Sequence, residues 1–264
     1  MNPISVNELT ESVNSNLPRD IKSTIAKNIL AEEKDSDVAK NIFSEIISDL
    51  SSKTQREVVN ATGTVLHTNL GRSPNNIRFP GSYTNIEYDL KTLSRGKRNE
   101  YLSVLMNNLI KSQDIAFVNN NASSLFLSLK AISKSHNIQN VIISRGEIIE
   151  IGGSYRLPEI INETGLNLIE IGTTNKTKLS DYKKALEKYP NSLILKVHRS
   201  NFSINGFTED VSIGELAELK NRYDFFLFHD LGSGLVIDKK FLEINNLSIF
   251  KDEPFVQDSL SDGS

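Results

Sequence analysis

Apolar positions follow two different periods along the 264 residues. Over residues 1–57 they recur at helical spacing. Ser5-Val6-Asn7-Glu8 has the Ser-x-x-Glu spacing of a capping box, in which two side chains satisfy the free N–H groups of a helix start. Pro18 suits the first turn of a second helix, whose Ile21, Ile25, Ile29 and Leu30 fall on one face. Asp37 is the expected cap of a third helix, with Ile42, Phe43, Ile46, Ile47 and Leu50 as its stripe. The polar run Ser51-Ser52-Lys53-Thr54 then marks a boundary.

From Val58 onward the pattern changes to short β-branched runs alternating with helical stretches. Strands are expected at 115–118, 141–143, 167–171, 193–197 and 225–228. Helices are expected at 101–110, 122–132, 158–164, 181–189 and 212–221, and a further one at 256–260. Ser212-Ile213-Gly214-Glu215 is a second capping box. Such alternation argues for an α/β fold with a mostly parallel sheet covered by helices. The run from Phe225 to Gly234 reads as a fully buried strand that ends on Asp230 and then turns at Gly232 and Gly234. Ligands of open α/β sheets bind at the carboxyl ends of strands, which places Asp230 at a site. A carboxylate there suits pyridoxal 5'-phosphate (PLP), whose ring nitrogen an Asp keeps protonated. It also suits an Asp that caps the next turn through its own side chain.

Charge and composition narrow the classes. Lys and Arg number 30 against 33 Asp and Glu, a net charge of −3, so nothing attracts nucleic acid or membrane in general. Residues 1–57 carry seven basic and ten acidic side chains, a balance closer to a packing or assembly element than to a nucleic-acid clamp. The absence of cysteine removes thiolate nucleophiles, zinc-thiolate sites and disulfides together. The N-terminal residues lack a basic region followed by an apolar run, and no stretch is long and apolar enough to span a bilayer, so a cytoplasmic protein is expected.

Three further stretches bear on chemistry. Phe117-Val118-Asn119-Asn120-Asn121-Ala122-Ser123-Ser124 reads as strand, polar turn and helix start, where free N–H groups and the helix dipole suit a phosphate. A plain Asn helix cap is the alternative. With Asp230, this turn would grip PLP at two points, phosphate and pyridine. Residues 58–73 are dense in Asn, Thr and Gly, which points to an ordered loop, with His67 as a satisfied side chain or a catalyst. Leu93-Ser94-Arg95-Gly96-Lys97-Arg98 is the densest basic cluster and reads as an anion site or as solvated surface.

These pieces occur in one order: residues 60–73, residues 119–122, Ser144-Arg145-Gly146-Glu147 with Ile151-Gly152-Gly153-Ser154, Gly172-Thr173-Thr174-Asn175, Lys196-Val197-His198 with Ser200-Asn201-Phe202, and Asp230-Leu231-Gly232-Ser233-Gly234. The series resembles bacterial selenocysteine synthase, the L-seryl-tRNA(Sec) selenium transferase family, over nearly the whole chain. The resemblance implies a fold-type-I PLP-dependent transferase large domain at 58–264, incomplete at its C-terminal end, after a small N-terminal helical domain at 1–57 that contacts tRNA. It implies conversion of seryl-tRNA(Sec) to selenocysteyl-tRNA(Sec) by PLP-dependent β-elimination of water and addition of selenium from selenophosphate. It implies a homo-oligomer, a decameric ring of dimers, in the cytoplasm, with no metal.

By the same resemblance Asp230 holds the pyridine nitrogen, and Asn121, Ala122 and Ser123 hold the phosphate. Arg95 and Arg98 would meet selenophosphate or the tRNA end, and His198 and Asn201 face the cofactor. The chain departs from the family at Arg98-Asn99-Glu100-Tyr101, where a His is usual two residues after a Tyr, at Lys176 in place of Arg, and at Arg199 in place of Thr. An Arg-to-Lys change turns a bidentate anion contact into a point charge. The family's Schiff-base lysine lies in a Ser-Gly-Asp-Lys turn that this sequence does not reach, and neither Lys196, Lys239 nor Lys240 has the matching context. The chain as written is therefore expected to be inactive alone. Two other readings stay open: a related PLP-dependent lyase on a small amino acid or sugar-acid phosphate, and a non-catalytic tRNA-binding or assembly remnant.

Overall fold

The computed structural model describes residues 4–53, 57–64, 66–74, 81–153, 155–237, 239–246 and 253–264. Thr54, Val65 and Ser154, which belong to stretches singled out above, lie outside them. The chain divides into two compact units, residues 1–81 and 82–264.

The first unit holds α1 (Val6–Glu11), α2 (Arg19–Glu32) and α3 (Ser36–Ser52). The capping box at Ser5 and Glu8 forms as expected. Pro18 stands at the cap of α2. The cap of α3 is Asp35, not Asp37: its carboxylate accepts from the N–H groups of Asp37 and Val38, so the helix starts two residues early. The core is Leu9, Ala26, Ile29, Ala39, Phe43 and Ile47. Its stripe on α3 is thus Ala39-Phe43-Ile47 at i, i+4 spacing, and Ile42 and Ile46 lie on an exposed flank. Ser51 and Ser52 continue α3, so the helix runs into the expected linker. Residues 57–64 and 66–74 form an irregular loop with one 3-10 turn, Thr68–Leu70. His67 has a structural task there, its Nδ1 accepting from the Asn69 N–H at 3.2 Å.

The second unit opens with a short hairpin of β1 (Tyr88–Asp89) and β2 (Ser94–Arg95), then α4 (Glu100–Ile110) and α5 (Asn121–His136). Next come β3 (Asn140–Ser144) and the hairpin β4 (Glu150–Ile151) and β5 (Tyr155–Arg156). After these follow α6 (Leu157–Glu163), β6 (Asn167–Ile171), α7 (Leu179–Lys188), β7 (Ser192–Val197), α8 (Ile213–Glu218), β8 (Phe226–Asp230), α9 (Lys239–Ile244) and α10 (Val256–Ser261). The strands β6-β3-β7-β8 form one sheet in that order, every pair parallel. This is the α/β class that the alternating pattern predicts.

The period of two along each strand sorts the core onto two faces. Val141, Ile143, Leu193, Leu195 and Val197 pack with Leu125 and Leu129 of α5 and with Leu157 and Ile161 of α6. Ile142, Ile194 and Leu227 pack with Tyr182, Ala185 and Leu186 of α7 and with Ile213 and Leu216 of α8. Every residue of β3 and β7 is buried, as continuous apolar runs in a doubly covered parallel sheet should be.

Two expectations change. Residues 115–118 form no strand, because no neighbour among the described residues offers them a ladder. The run at 225–228 is a strand, but it closes the sheet among the described residues, and Phe226 and Phe228 are only partly buried. Lys239, which lacks the context of the family's Schiff-base lysine, lies in α9 and pairs with Asp258 of α10. No helix among the described residues is long and apolar enough to cross a membrane.

Candidate active site at the strand ends

The carboxyl ends of the parallel strands are Ser144, Ile171, Val197 and Asp230. Motifs scattered along the sequence therefore converge there: residues 144–147, 172–175, 196–201 and 230–234 each follow or contain one of these ends. Close packing fixes them against one another. A Cβ on Gly146 would come within 2.6 Å of the Thr174 carbonyl oxygen. The Ser144 and Thr177 hydroxyls hydrogen-bond at 2.6 Å. Gly232 has φ +64, and a Cβ there would press on the Ser200 side chain at 3.2 Å, so the turn after β8 and the turn after β7 need that glycine to meet.

Asp230 is buried, with 5% of its surface exposed. Its Oδ1 accepts from the Gly232 N–H at 2.9 Å and from the Asn121 side-chain amide at 3.0 Å. Asp230 thus caps its own turn, as one of its two sequence readings expects, and it also meets the start of α5. At that start, Asn120 caps the helix by accepting from the Ser123 N–H at 2.9 Å. The Asn121 side chain is on the carboxylate, and the N–H groups of Asn121 and Ala122 lie in the first turn, where no intrahelical acceptor exists. Together they set a helix N-terminus, with the free N–H groups that suit an anion, beside a buried carboxylate.

His198 donates its backbone N–H to the Asp230 carbonyl at 2.8 Å, and its Nε2 lies 3.7 Å from Glu253. Asn201 donates to the Glu150 carbonyl of β4 at 3.0 Å, which ties the β4–β5 hairpin to the loop after β7. On β5, the Tyr155 hydroxyl oxygen is buried and has no hydrogen-bond partner among the described residues. Burial, followed by the Asp230 charge, pushes this phenol up to about 12.

Arg95 and Arg98 stand apart from this group. Both are exposed, and both pair with Glu87, Arg98 at 2.6 Å and Arg95 at 3.6 Å. No hydrogen bond or ion pair among the described residues joins them to the strand ends.

Sequence reasoning missed two features. The first is an ionic cluster beneath the site. Lys196 Nζ lies 2.5 Å from Glu147 and 2.6 Å from Asp210, and Glu147 also accepts from the Val197 N–H at 3.0 Å. Arg199 adds a contact to Asp210 at 3.3 Å. Burial raises the Glu147 carboxyl above its usual range despite Lys196, whereas Asp210, although burial opposes it, is held low by Lys196. The signal available was a charged residue, Lys196, inside an otherwise apolar strand. The second is His229, which bonds the Ser259 hydroxyl at 2.7 Å. Burial, helped by the charges of Lys196 and His198, lowers it to about 4.

Two tests follow from this geometry. Lys196→Met strands Glu147 in the interior and should cost about 3 kcal/mol in urea unfolding, as removal of one partner of a buried pair does; a change within experimental error contradicts the cluster's structural role. For His229, a depressed folded-state value means the folded chain binds fewer protons, so its contribution to stability is complete above 6.5 and is lost as pH falls towards about 4. Urea midpoints should decline across that window, and His229→Gln should flatten the decline; an equal slope in the variant contradicts the burial argument.

The sequence is similar to those of known proteins. A family model described as "SelA: L-seryl-tRNA selenium transferase" covers residues 58–264. The L-seryl-tRNA(Sec) selenium transferase of Aliarcobacter butzleri is 42% identical, over 92% of this chain and 55% of that protein. The protein of that name from Sulfurimonas denitrificans is 36% identical, over 87% and 52%. The one from Aquifex aeolicus is 41% identical, over 82% and 48%. The chain spans about half the length of these curated relatives. Among solved structures, a D-glucosaminate-6-phosphate ammonia-lyase aligns with 48% of the chain at 14% identity and a TM-score of 0.40, too slight a likeness to weigh.

Proposed function

Because the chain belongs to the L-seryl-tRNA selenium transferase family, we propose that it forms the cofactor-binding part of an enzyme converting seryl-tRNA(Sec) to selenocysteyl-tRNA(Sec). The observation that carries this reading is the Asn121–Asp230 hydrogen bond, which sets a helix N-terminus and a buried carboxylate side by side. Those two features fit the two ends of PLP. Asp230 would bind the protonated ring nitrogen, and the first turn of α5, with Asn121, Ala122 and Ser123, would bind the phosphate. The unpartnered Tyr155 hydroxyl marks a polar position at the same place still in need of an acceptor. When bound, PLP supplies an electron sink that favours loss of the seryl hydroxyl as water.

The chain's own residues then have definable tasks. Asp230 is preorganised, because two donors already fix its Oδ1. His198, one position beyond β7 and 3.7 Å from Glu253, is the proposed carrier of a proton to or from the reacting group. Asn201 orients the hairpin over the site. Lys196 is not the covalent anchor in this reading, since two carboxylates hold its ammonium.

Arg95 and Arg98 are the proposed contact for selenophosphate or the tRNA end, with their shared Glu87 released when an anion binds. The helical residues 1–57 are the proposed tRNA-contacting domain, by shape more than by charge. Homo-oligomerisation belongs to the same reading and is supported by exposed apolar side chains on α4, Tyr101, Val104 and Leu105. The proposed setting is the cytoplasm, where aminoacylated tRNA is used.

Pyridoxamine 5'-phosphate carries the same ring and phosphate but no aldehyde to react with surface lysines. The chain should bind it, and Asp230→Asn should weaken that binding about tenfold or more, as loss of a charged hydrogen bond does. Equal affinity in the variant contradicts the site.

A further inference from the structure

A buried hydroxyl with no partner carries a free-energy cost, and a native chain retains one where something else supplies the partner. Tyr155 is such a group. It sits on β5, paired with Ile151 of β4. That hairpin is held over the strand ends by the Asn201–Glu150 hydrogen bond, and the segment bearing Asn201 is itself tied to Asp230 through the His198 N–H. The hydroxyl therefore stands within the electrostatic reach of Asp230 without bonding to it. Asp230 and Asn121 bond to each other, and the phenol bonds to neither.

We propose that the Tyr155 hydroxyl is a ligand-positioning donor, which hydrogen-bonds the 3-oxygen of the pyridine ring whose nitrogen Asp230 holds. The inference rests on the cofactor reading above. The chemistry of the ring selects the atom. Besides the nitrogen and the phosphate, the acceptors near a bound pyridoxal-type ring are few, and the 3-oxygen stands two ring atoms from the nitrogen. A donor placed close to Asp230 but not on it is matched to that oxygen. A phenol pushed up to about 12 stays protonated throughout the physiological range, so it acts as a donor and not as a base. A donor to the 3-oxygen would fix the ring's tilt about the Asp230 anchor and favour the ionised oxygen.

The test is Tyr155→Phe, which removes one oxygen and keeps the ring. Two opposed effects are expected. The free variant should unfold at a higher urea concentration than the wild type, because an unpartnered buried hydroxyl is gone. The same variant should bind pyridoxamine 5'-phosphate about threefold to tenfold more weakly, the size of one hydrogen bond, with a shifted absorbance of the bound 3-hydroxypyridine. A hydroxyl with a merely structural partner gives the reverse sign on stability, and a lower urea midpoint for Tyr155→Phe overturns the inference. Unchanged affinity and absorbance in Tyr155→Phe, with binding lost in Asp230→Asn, overturns this inference alone. Binding that Asp230→Asn leaves intact overturns the cofactor reading and this inference with it.

Discussion

The hydrogen bond between Asn121 and Asp230 spans 109 positions of sequence, and the site depends on it. It joins the first turn of a helix, rich in unsatisfied N–H groups, to a carboxylate at the end of a parallel strand. A parallel sheet makes such a meeting possible, because its strand ends all face one way and its crossover helices begin at that side. Burial then matters twice. It removes competing water from Asp230, and it forces each nearby polar group to find a partner or remain without one.

The ionic cluster serves the same geometry from below. Lys196 interrupts an apolar strand, and its two carboxylate partners come from the turn after β3 and from Asp210 ahead of α8. Burying the charges of Lys196 and Glu147 is a poor route to raw stability. What it fixes is relative position: the turn at Glu147, the end of β7 and the loop leading to His198 are locked together. Arg199 adds a fourth charge to that lock.

Much of this was legible in the sequence, for reasons that differ by residue. The strand at Asn167–Ile171 was read to the residue because β-branched side chains and flanking turn residues bound it on both sides. The capping boxes at Ser5 and Ser212 were legible because their logic is local. Asp230 was legible because an acidic residue between an apolar run and paired glycines has few explanations. Other features depend on partners distant in sequence. Residues 115–118 have strand composition, but composition does not supply a neighbour. The cap of α3 fell on Asp35 and not Asp37 because two acidic residues competed within one turn. Tyr155 carried no signal at all: only the packed hairpin shows that its hydroxyl is enclosed and unpartnered.

The central claim is that the α5 start and the β8 end act as one grip on one ligand. A double-mutant cycle of Asn121→Ala and Asp230→Asn, read by the affinity for pyridoxamine 5'-phosphate, tests it most directly. The account predicts that the two substitutions are coupled, with an interaction energy of about 0.5–3 kcal/mol, the range for groups in one hydrogen-bonded network. Strictly additive effects would mean that the two ends act independently, and would contradict it.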